Sequence, residues 1–364
     1  MKPRISAGQF SILIANFIFS ASIISLPQVL IKSSGHDSWV LAFVTLPAIL
    51  LFVFIIIGRA KKQEQFENIF VPDDHHSFLE KIFYIFVFLF MAFILIRDLR
   101  GFVDFVAAVL LPNTPIDILV TLSLLVIIYV TVSGLEVIAR VTVIQFVILG
   151  AIGVALPLLL LNEFQIGNLQ PVLGMEALPG VMKSSYILFS WVGEVIFIVT
   201  IIAYVEPMKK IRKAAFKGIG IIYTLLCIVL ATEIGVLGPK ILEVSTYPTH
   251  QLIQQINLTD FLDRLDVFIV VVWLPNVFTK LALALFCLNK ALSCLVKRET
   301  NVYILPVSLI LGHLSILLFK NNINQIDFSF YTWPSLGLSL EIILLGLFIL
   351  IKWQRKKKLQ NKTT

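Results

Sequence analysis

Long apolar stretches alternate with short polar connections along the whole chain. Ten such stretches stand out, at residues 9–31, 39–58, 82–110, 116–133, 141–161, 180–205, 215–237, 265–289, 302–319 and 334–351. A bilayer core about 30 Å thick needs about 20 helical residues to cross it, and most of the stretches meet that length. The pattern predicts an all-α integral membrane protein with ten transmembrane helices.

The basic residues fall almost wholly on alternate connections. The N-terminus, the tail and the connections after the second, fourth, sixth and eighth stretches carry 21 Lys and Arg residues, whereas the other connections carry five. Because basic residues near span ends are retained on the cytoplasmic side, this asymmetry places both termini in the cytoplasm. Residues 353–364 then form a basic cytoplasmic tail, which either anchors the topology or binds anionic membrane lipid through Arg355 to Lys358.

Composition excludes a soluble protein. Hydrophobic residues make up 58% of the chain and charged residues 14%, whereas soluble domains are about 25% charged. The net charge of +7 reflects membrane topology, and no nucleic-acid partner is expected. The three cysteines lie within or beside spans, and the five histidines are scattered, so we expect neither a disulfide framework nor a metal or other cofactor. The first stretch is too long for a signal-peptide core and stays as the first span.

The ten stretches divide into two halves within a single transmembrane domain. An odd number of spans per half inverts the second half relative to the first, as inverted-topology repeats require. The predicted repeats cover about 5–161 and about 178–352. In such folds the first helix of each repeat is broken near mid-membrane, so the first and sixth stretches are the ones to compare.

Both of these stretches carry interruptions at matching positions. The first has small residues in its middle and then a proline: Ser20, Ala21, Ser22 and Pro27. The sixth has Ser190, Gly193 and Glu194 at mid-depth. Broken backbone survives at membrane depth only where it lines a cavity, so the pair predicts breaks in helices 1 and 6 and a binding site between the repeats. The alternative is close helix packing through small residues, but a mid-span glutamate favours function.

Several motifs together resemble those of one family. They are Leu26-Pro27, the loop 171–174 (Pro-Val-Leu-Gly), the 193–195 segment (Gly-Glu-Val), and 247–249 (Tyr-Pro-Thr) followed by 261–266 and Trp273. Along its whole length the chain resembles the B subunit of bacterial spore nutrient-germinant receptors, the endospore germination permease family of the amino acid–polyamine–organocation superfamily. It departs from the usual pattern in two places. Residues 20–22 replace a Gly-rich break, and Gly193 immediately precedes the glutamate instead of lying two residues before it.

The resemblance implies a fold and a set of partners. The fold would be similar to that of the leucine transporter, with ten spans as five-plus-five inverted repeats. A small-molecule germinant, commonly an amino acid, would bind at mid-membrane. The chain would assemble with an A subunit and a lipoprotein C subunit in the spore inner membrane.

The predicted pocket lies where the two interruptions meet. Backbone N–H groups near Ser22 and Ile23 would bind a ligand carboxylate, because freed donors at a half-helix start favour anions. Glu194 would either accept a hydrogen bond from the ligand ammonium or brace the broken helix. The full predicted ligand-binding set is Ser20, Ala21, Ser22, Ile23, Ser190, Trp191, Gly193 and Glu194.

Further charges interrupt the third and eighth stretches. The third carries Arg97, Asp98, Arg100 and Asp104. Arg100 and Asp104 are four residues apart and therefore share a helix face. This group lies either among lipid headgroups or in a coupling network near the pocket mouth. Lys280 lies near the place where sodium often binds in this fold, between spans one and eight, so its ammonium either replaces that cation or snorkels inward or pairs within the bundle.

Two functions remain in competition. The first is a receptor subunit that binds a germinant and signals to partner subunits. The second is a stand-alone secondary transporter of amino acids with the same fold. An enzyme is not expected, because no metal spacing or Ser/His/Asp arrangement lies at a common depth.

Overall fold

The computed structural model describes residues 4–58, 69–73, 76–170, 172, 174–256 and 265–360. Some features used above lie outside these ranges. They are the basic residues of 59–68, the motif residues Pro171, Leu173 and 261–264, and the last four residues of the tail, 361–364.

The described chain is almost entirely helical. Its α-helices are α1 (Ala7–Ser34), α2 (Leu41–Ile57), α3 (Phe78–Phe105), α4 (Ile116–Val132), α5 (Leu135–Leu159), α6 (Leu178–Val192), α7 (Ile198–Ile201), α8 (Ile211–Leu237), α9 (Pro239–Val244), α10 (Pro248–Ile253), α11 (Leu265–Val296), α12 (Ile304–Leu318), α13 (Asn322–Asp327) and α14 (Trp333–Gln360). Turns of 3-10 helix cover Gly35–Val40, Ile166–Leu169, Met175–Ala177, Gly193–Phe197, Ile202–Tyr204 and Met208–Lys210, and π-helical turns cover Val106–Leu110 and Phe328–Thr332.

Each of the ten predicted stretches falls on apolar helix. Seven helical stretches in the described ranges are long and apolar enough to cross a membrane: Ser25–Ile57, Phe78–Leu110, Leu135–Leu159, Leu178–Tyr204, Met208–Leu237, Val270–Val296 and Asn322–Arg355. Shorter apolar helices cover Ala7–Ile23, Ile116–Val132 and Ile304–Leu318. The all-α membrane class is therefore confirmed, while ten crossings, the cytoplasmic termini and the two repeat boundaries stay predictions.

The predicted break in the first helix was wrong, because α1 runs without interruption from Ala7 to Ser34. Pro27 lacks the N–H that would pair with the Ile23 carbonyl one turn earlier. Thr249 of α10 replaces that donor, with its hydroxyl oxygen 2.8 Å from the Ile23 oxygen. A donor from another helix thus lets α1 pass its proline.

The sixth stretch changes helix type at the predicted position. α6 ends at Val192, and the chain continues as 3-10 helix over Gly193–Phe197 before α7 begins. The tighter 3-10 winding turns the side chains that follow onto a different face from the one an α-helix would give. The sequence feature at Gly193 therefore coincides with a change of winding, not with a loss of helical structure.

A short pair of strands joins the two spans at one end. β1 (Ile5–Ser6) lies parallel to β2 (Val205–Glu206), with Ile5 opposite Val205. β1 leads directly into α1, and β2 follows the helical turns of the sixth stretch. The backbone ladder therefore holds the start of the first span beside the end of the sixth.

The start of α3 is capped by its own side chains. The Glu80 amide donates to the Ser77 hydroxyl at 3.3 Å, and the Ser77 amide donates to the Glu80 carboxylate at 2.8 Å. Because this reciprocal capping satisfies two otherwise free helix donors, Ser77→Ala should lower the free energy of unfolding by about 1 kcal/mol. Thermal unfolding in detergent measures the change. The control is Ser339→Ala, which removes an exposed hydroxyl that only bonds its own helix, and an equal loss there would contradict the capping role.

Candidate functional site

Four charged side chains form a closed ring in the centre of the bundle. The Arg97 guanidinium contacts Asp98 Oδ1 at 2.6 Å and Glu194 Oε1 at 2.7 Å. The Lys280 ammonium contacts Asp98 Oδ2 at 2.7 Å and Glu194 Oε2 at 3.2 Å. Each acid therefore bridges both cations. None of the four residues, called the ion-pair ring below, is more than 5% exposed.

Three separate parts of the chain supply the ring. Arg97 and Asp98 come from α3, Glu194 from the 3-10 turn after α6, and Lys280 from α11. Buried charges are tolerated only when they are paired and hydrogen-bonded. The ring meets that requirement with two positive and two negative groups, so it ties three elements together electrostatically.

Two tryptophans enclose the Arg97 guanidinium. Its central carbon lies 4.0 Å from the centroid of the Trp191 ring and 4.5 Å from that of Trp333. A guanidinium is attracted to aromatic faces at these distances, and more strongly where water is excluded. Gln325 of α13 also donates to the Arg97 carbonyl at 3.2 Å. Arg97 is thus held on both faces and along its backbone.

Lys280 pairs within the bundle and does not snorkel to an interface. Its ammonium lies 5.0 Å from the centroid of the Phe17 ring on α1. One turn earlier, Asn16 of α1 donates to the Asn276 carbonyl at 3.1 Å and to the Thr279 hydroxyl at 3.0 Å. Lys280 therefore lies where α1 meets α11, and its replacement of a metal cation there stays a prediction.

Arg100 and Asp104 form a second, separate pair. The Arg100 Nε atom lies 2.9 Å from Asp104 Oδ1, as their spacing of four residues predicts. Both residues are buried, which favours the network over lipid headgroups as their surroundings. Burial, and then the nearby Asp104 carboxylate, raise the pKa of Tyr247, in the connection before α10, to about 12. The Tyr247 hydroxyl is therefore neutral, and it accepts a hydrogen bond from Asn322.

A third buried acid, Glu341 of α14, was missed by the sequence reasoning. It is fully buried, and neither carboxylate oxygen has a hydrogen-bond partner within the described part of the chain. It packs directly on Gly193, where an added Cβ would lie 2.6 Å from the Glu341 carboxyl carbon. The signal that identified Glu194, an acid in the middle of a span, applies equally to Glu341 in the tenth stretch.

Two cavities adjoin this centre. A polar one of about 20 Å³ is bordered by α1, α3, α6 and α13, and its lining includes Ala21, Ser25, Asp98, Trp191, Tyr247 and Gln325. An apolar one of about 50 Å³ is lined by residues that include Phe19, Ile23, Leu149, Thr249 and Trp273. A cavity of 10–15 Å³ by this measure holds about one water, so the polar cavity is nearly closed in this conformation.

The predicted ligand-binding residues are divided among these features. Ala21 and Trp191 line the polar cavity, and Ile23 lines the apolar one. Glu194 belongs to the ion-pair ring, and Gly193 packs on Glu341. The serine hydroxyls of the set instead bond carbonyls of their own helices, at 2.7 Å for Ser20, 3.1 Å for Ser22 and 2.8 Å for Ser190.

Within the described ranges no group of three or more His, Cys, Asp or Glu side chains is arranged to hold a metal ion. The chemistry that the centre offers is recognition by charge and hydrogen bonds. Acidic oxygens at the edge of a small polar cavity favour a ligand ammonium, and the aromatic walls favour a compact organic body.

Comparison with known proteins gives consistent relatives. A family model described as spore germination protein matches residues 4–326. From Bacillus subtilis (strain 168), spore germination protein KB is 28% identical over 371 residues, covering 99% of this chain and 98% of the relative. Spore germination protein YndE from the same strain is 26% identical over 325 residues, covering 86% of this chain and 85% of the relative.

A solved structure shares the fold. Mhp1, a nucleobase-cation-symport-1 family transporter in a closed conformation with bromovinylhydantoin bound, matches with a TM-score of 0.61 at 16% identity. The match covers 96% of this chain and 78% of Mhp1. At this identity the likeness shows the fold alone, and the predicted leucine-transporter-like fold is confirmed.

Proposed function

The chain belongs to the spore germination protein family, and from that membership we propose that it is the germinant-sensing membrane subunit of a spore germination receptor. The family is one of transporter-like membrane proteins, not of enzymes. The subunit would lie in the spore inner membrane and bind a small nutrient, an amino acid. It would pass the signal to the receptor A and C subunits.

One observation carries the proposal: the polar cavity is bordered by Asp98, a member of the ion-pair ring. The ammonium of an amino acid entering this cavity would compete with Lys280 for the Asp98 carboxylate. Because Lys280 lies on α11 and Asp98 on α3, such competition would change the attraction between these helices. Glu194 is already held by both ring cations, which supports its predicted bracing role over direct ligand contact.

The test is a binding screen with a variant that fills the cavity. A ligand that binds the folded protein raises its melting temperature by mass action. We expect at least one of the twenty amino acids to do so, and we expect Ala21→Val to weaken that ligand tenfold or more, about 1.4 kcal/mol, because the added methyl groups enter the space that the ligand needs.

The matched control is Ala151→Val on α5, whose side chain is exposed on the bundle surface. It should leave ligand binding unchanged. The site would be misplaced if Ala21→Val bound the ligand as tightly as the unaltered protein. The receptor proposal itself would lose its basis if no amino acid, simple sugar or nucleoside shifted the melting temperature.

A second candidate function is a stand-alone secondary transporter of amino acids. The fold shared with Mhp1 favours it, because that protein is a transporter. Flux separates the two functions. Radiolabelled amino acid that accumulates in vesicles containing this chain alone would support transport. Binding without flux, together with co-purification of the A and C subunits, would support the receptor.

A further inference from the structure

The continuity of α1 depends on one hydroxyl group from another helix. Pro27 cannot donate to the Ile23 carbonyl, and the Thr249 hydroxyl takes the place of the missing N–H at 2.8 Å. A hydroxyl group has only one hydrogen to donate. Any second hydrogen bond of Thr249 must therefore be one that it accepts.

Thr249 does make a second, shorter contact, to a buried acid. Its hydroxyl oxygen lies 2.6 Å from Oε1 of Glu233 on α8. The Ile23 carbonyl only accepts, so when the Thr249 proton is directed to Ile23 the hydrogen in the Glu233 contact has to come from Glu233. Both short distances are satisfied together only if the Glu233 carboxyl is protonated.

The surroundings of Glu233 agree with a neutral carboxyl group. Glu233 is fully buried, and its Oε2 atom has no hydrogen-bond partner among the described residues. The titratable side chains nearest to it on the neighbouring elements are Lys32, Asp37, Lys240, Glu243, Tyr247 and His250, and no ion pair joins any of them to Glu233 in the described structure. A buried carboxylate with a single hydrogen bond and no cation would be costly.

We propose that Glu233 is a proton-binding site that controls the proline joint of α1. With the proton bound, Glu233 donates to Thr249 and Thr249 donates to Ile23. When the proton leaves to water, the Thr249 hydroxyl turns to the carboxylate, and the Ile23 carbonyl loses its donor. α1 then loses its support at Pro27, the region where the sequence predicts a broken helix.

The apolar cavity gives this exchange its space. Ile23 and Thr249 both line it, so the hydroxyl that must turn and the carbonyl that it leaves face the same opening. A water entering there could receive the proton and then bond the freed Ile23 oxygen. Phe19 and Trp273 form other parts of the wall, and the Trp273 indole donates to the Ser20 carbonyl at 2.8 Å, which holds α1 one turn before the joint.

Infrared spectroscopy of the purified full chain tests the protonation directly. A protonated carboxyl group has its own carbonyl absorption, distinct from that of a carboxylate. We expect Glu233→Gln to lose one such absorption at neutral pH. The matched control is Glu243→Gln on α9, whose carboxylate is exposed, and it should leave that absorption intact. Retention of the full protonated-carboxyl signal in Glu233→Gln would overturn the proposal.

A second variant keeps the proposal testable if Glu233→Gln fails to fold. Thr249→Val removes the hydroxyl that accepts the Glu233 proton, so the same absorption should shift to the higher frequency of a carboxyl group without a hydrogen bond. An unshifted absorption in folded Thr249→Val, or a wild-type spectrum without any protonated carboxyl, would also refute the proton site.

Hydrogen exchange of residues 24–30 tests the coupling to α1. In the unaltered chain, exchange corrected for its intrinsic pH dependence should become faster as pH rises and Glu233 loses its proton. In Glu233→Gln it should not respond to pH, because the amide continues to donate to Thr249. A Glu233→Gln chain with the pH response of the unaltered chain would show that Glu233 does not control the joint. These measurements need no germinant, so their outcome is independent of the proposed receptor function.

Discussion

Lys280→Met is expected to lower the free energy of unfolding by about 3–5 kcal/mol, which is the usual loss when one partner of a buried ion pair is removed. Methionine has similar length but no charge. The variant leaves Asp98 and Glu194, both buried, with Arg97 as their only remaining ring cation. Thermal and denaturant unfolding in detergent measures the loss. Lys183→Met, the same change at an exposed position on α6, should have little effect.

A second substitution identifies the ring as the cause. Glu194→Gln removes the negative charge that Lys280→Met leaves unbalanced and keeps the side-chain shape. If the ring acts as a unit, the double variant should be more stable than the sum of the two single losses predicts, by about 0.5–3 kcal/mol. Strictly additive losses would mean that Lys280 and Glu194 act independently, and the ring would then have no role as a coupling device.

The overall class of the fold was predictable because it depends on local pattern. Apolar stretches of membrane-spanning length identify helices wherever they occur. The Arg100–Asp104 pair was predictable for a similar reason, since a spacing of four residues fixes a shared helix face. In both cases the information lies within one turn or one helix of the sequence.

The ion-pair ring was not predictable, although each member attracted attention as a charge inside a span. Arg97, Glu194 and Lys280 lie far apart in sequence, and their convergence depends on how three elements pack. Periodicity places a residue on a face of its own helix but does not say which helix that face meets. The sequence therefore supplied candidates without their partners.

The predicted break in α1 failed for a related reason. The small residues and Pro27 were correctly identified as weak points, but whether a helix breaks at a proline depends on other donors. That donor is Thr249, in a short helix of the connection between spans. The serine hydroxyls were likewise expected to face a ligand, whereas serine in a helix commonly bonds a carbonyl of the preceding turn, as Ser20 does.

Gly193→Ala is the second large effect that we expect, at about 3 kcal/mol, the upper end of the range for overpacking a well-packed interior. A Cβ at this position would lie 2.6 Å from the Glu341 carboxyl carbon, and both residues are fully buried. The helix types on either side leave little freedom to adjust, because Gly193 begins the 3-10 turn that carries Glu194 into the ring. The substitution should therefore displace Glu194 as well as α14.

A matched glycine and a relieving variant make this prediction specific. Gly220→Ala on α8 adds the same methyl group where nothing lies within 4 Å, and it should be neutral or stabilising because alanine favours helix. With Glu341→Ala already in place, the carboxyl group that obstructs the Cβ is gone, so Gly193→Ala should then have little further effect on the melting temperature. If Gly193→Ala destabilises both backgrounds equally, its role lies in the backbone of the 3-10 turn and not in contact with Glu341. That result would separate the Gly193–Glu341 contact from the ring that lies beside it.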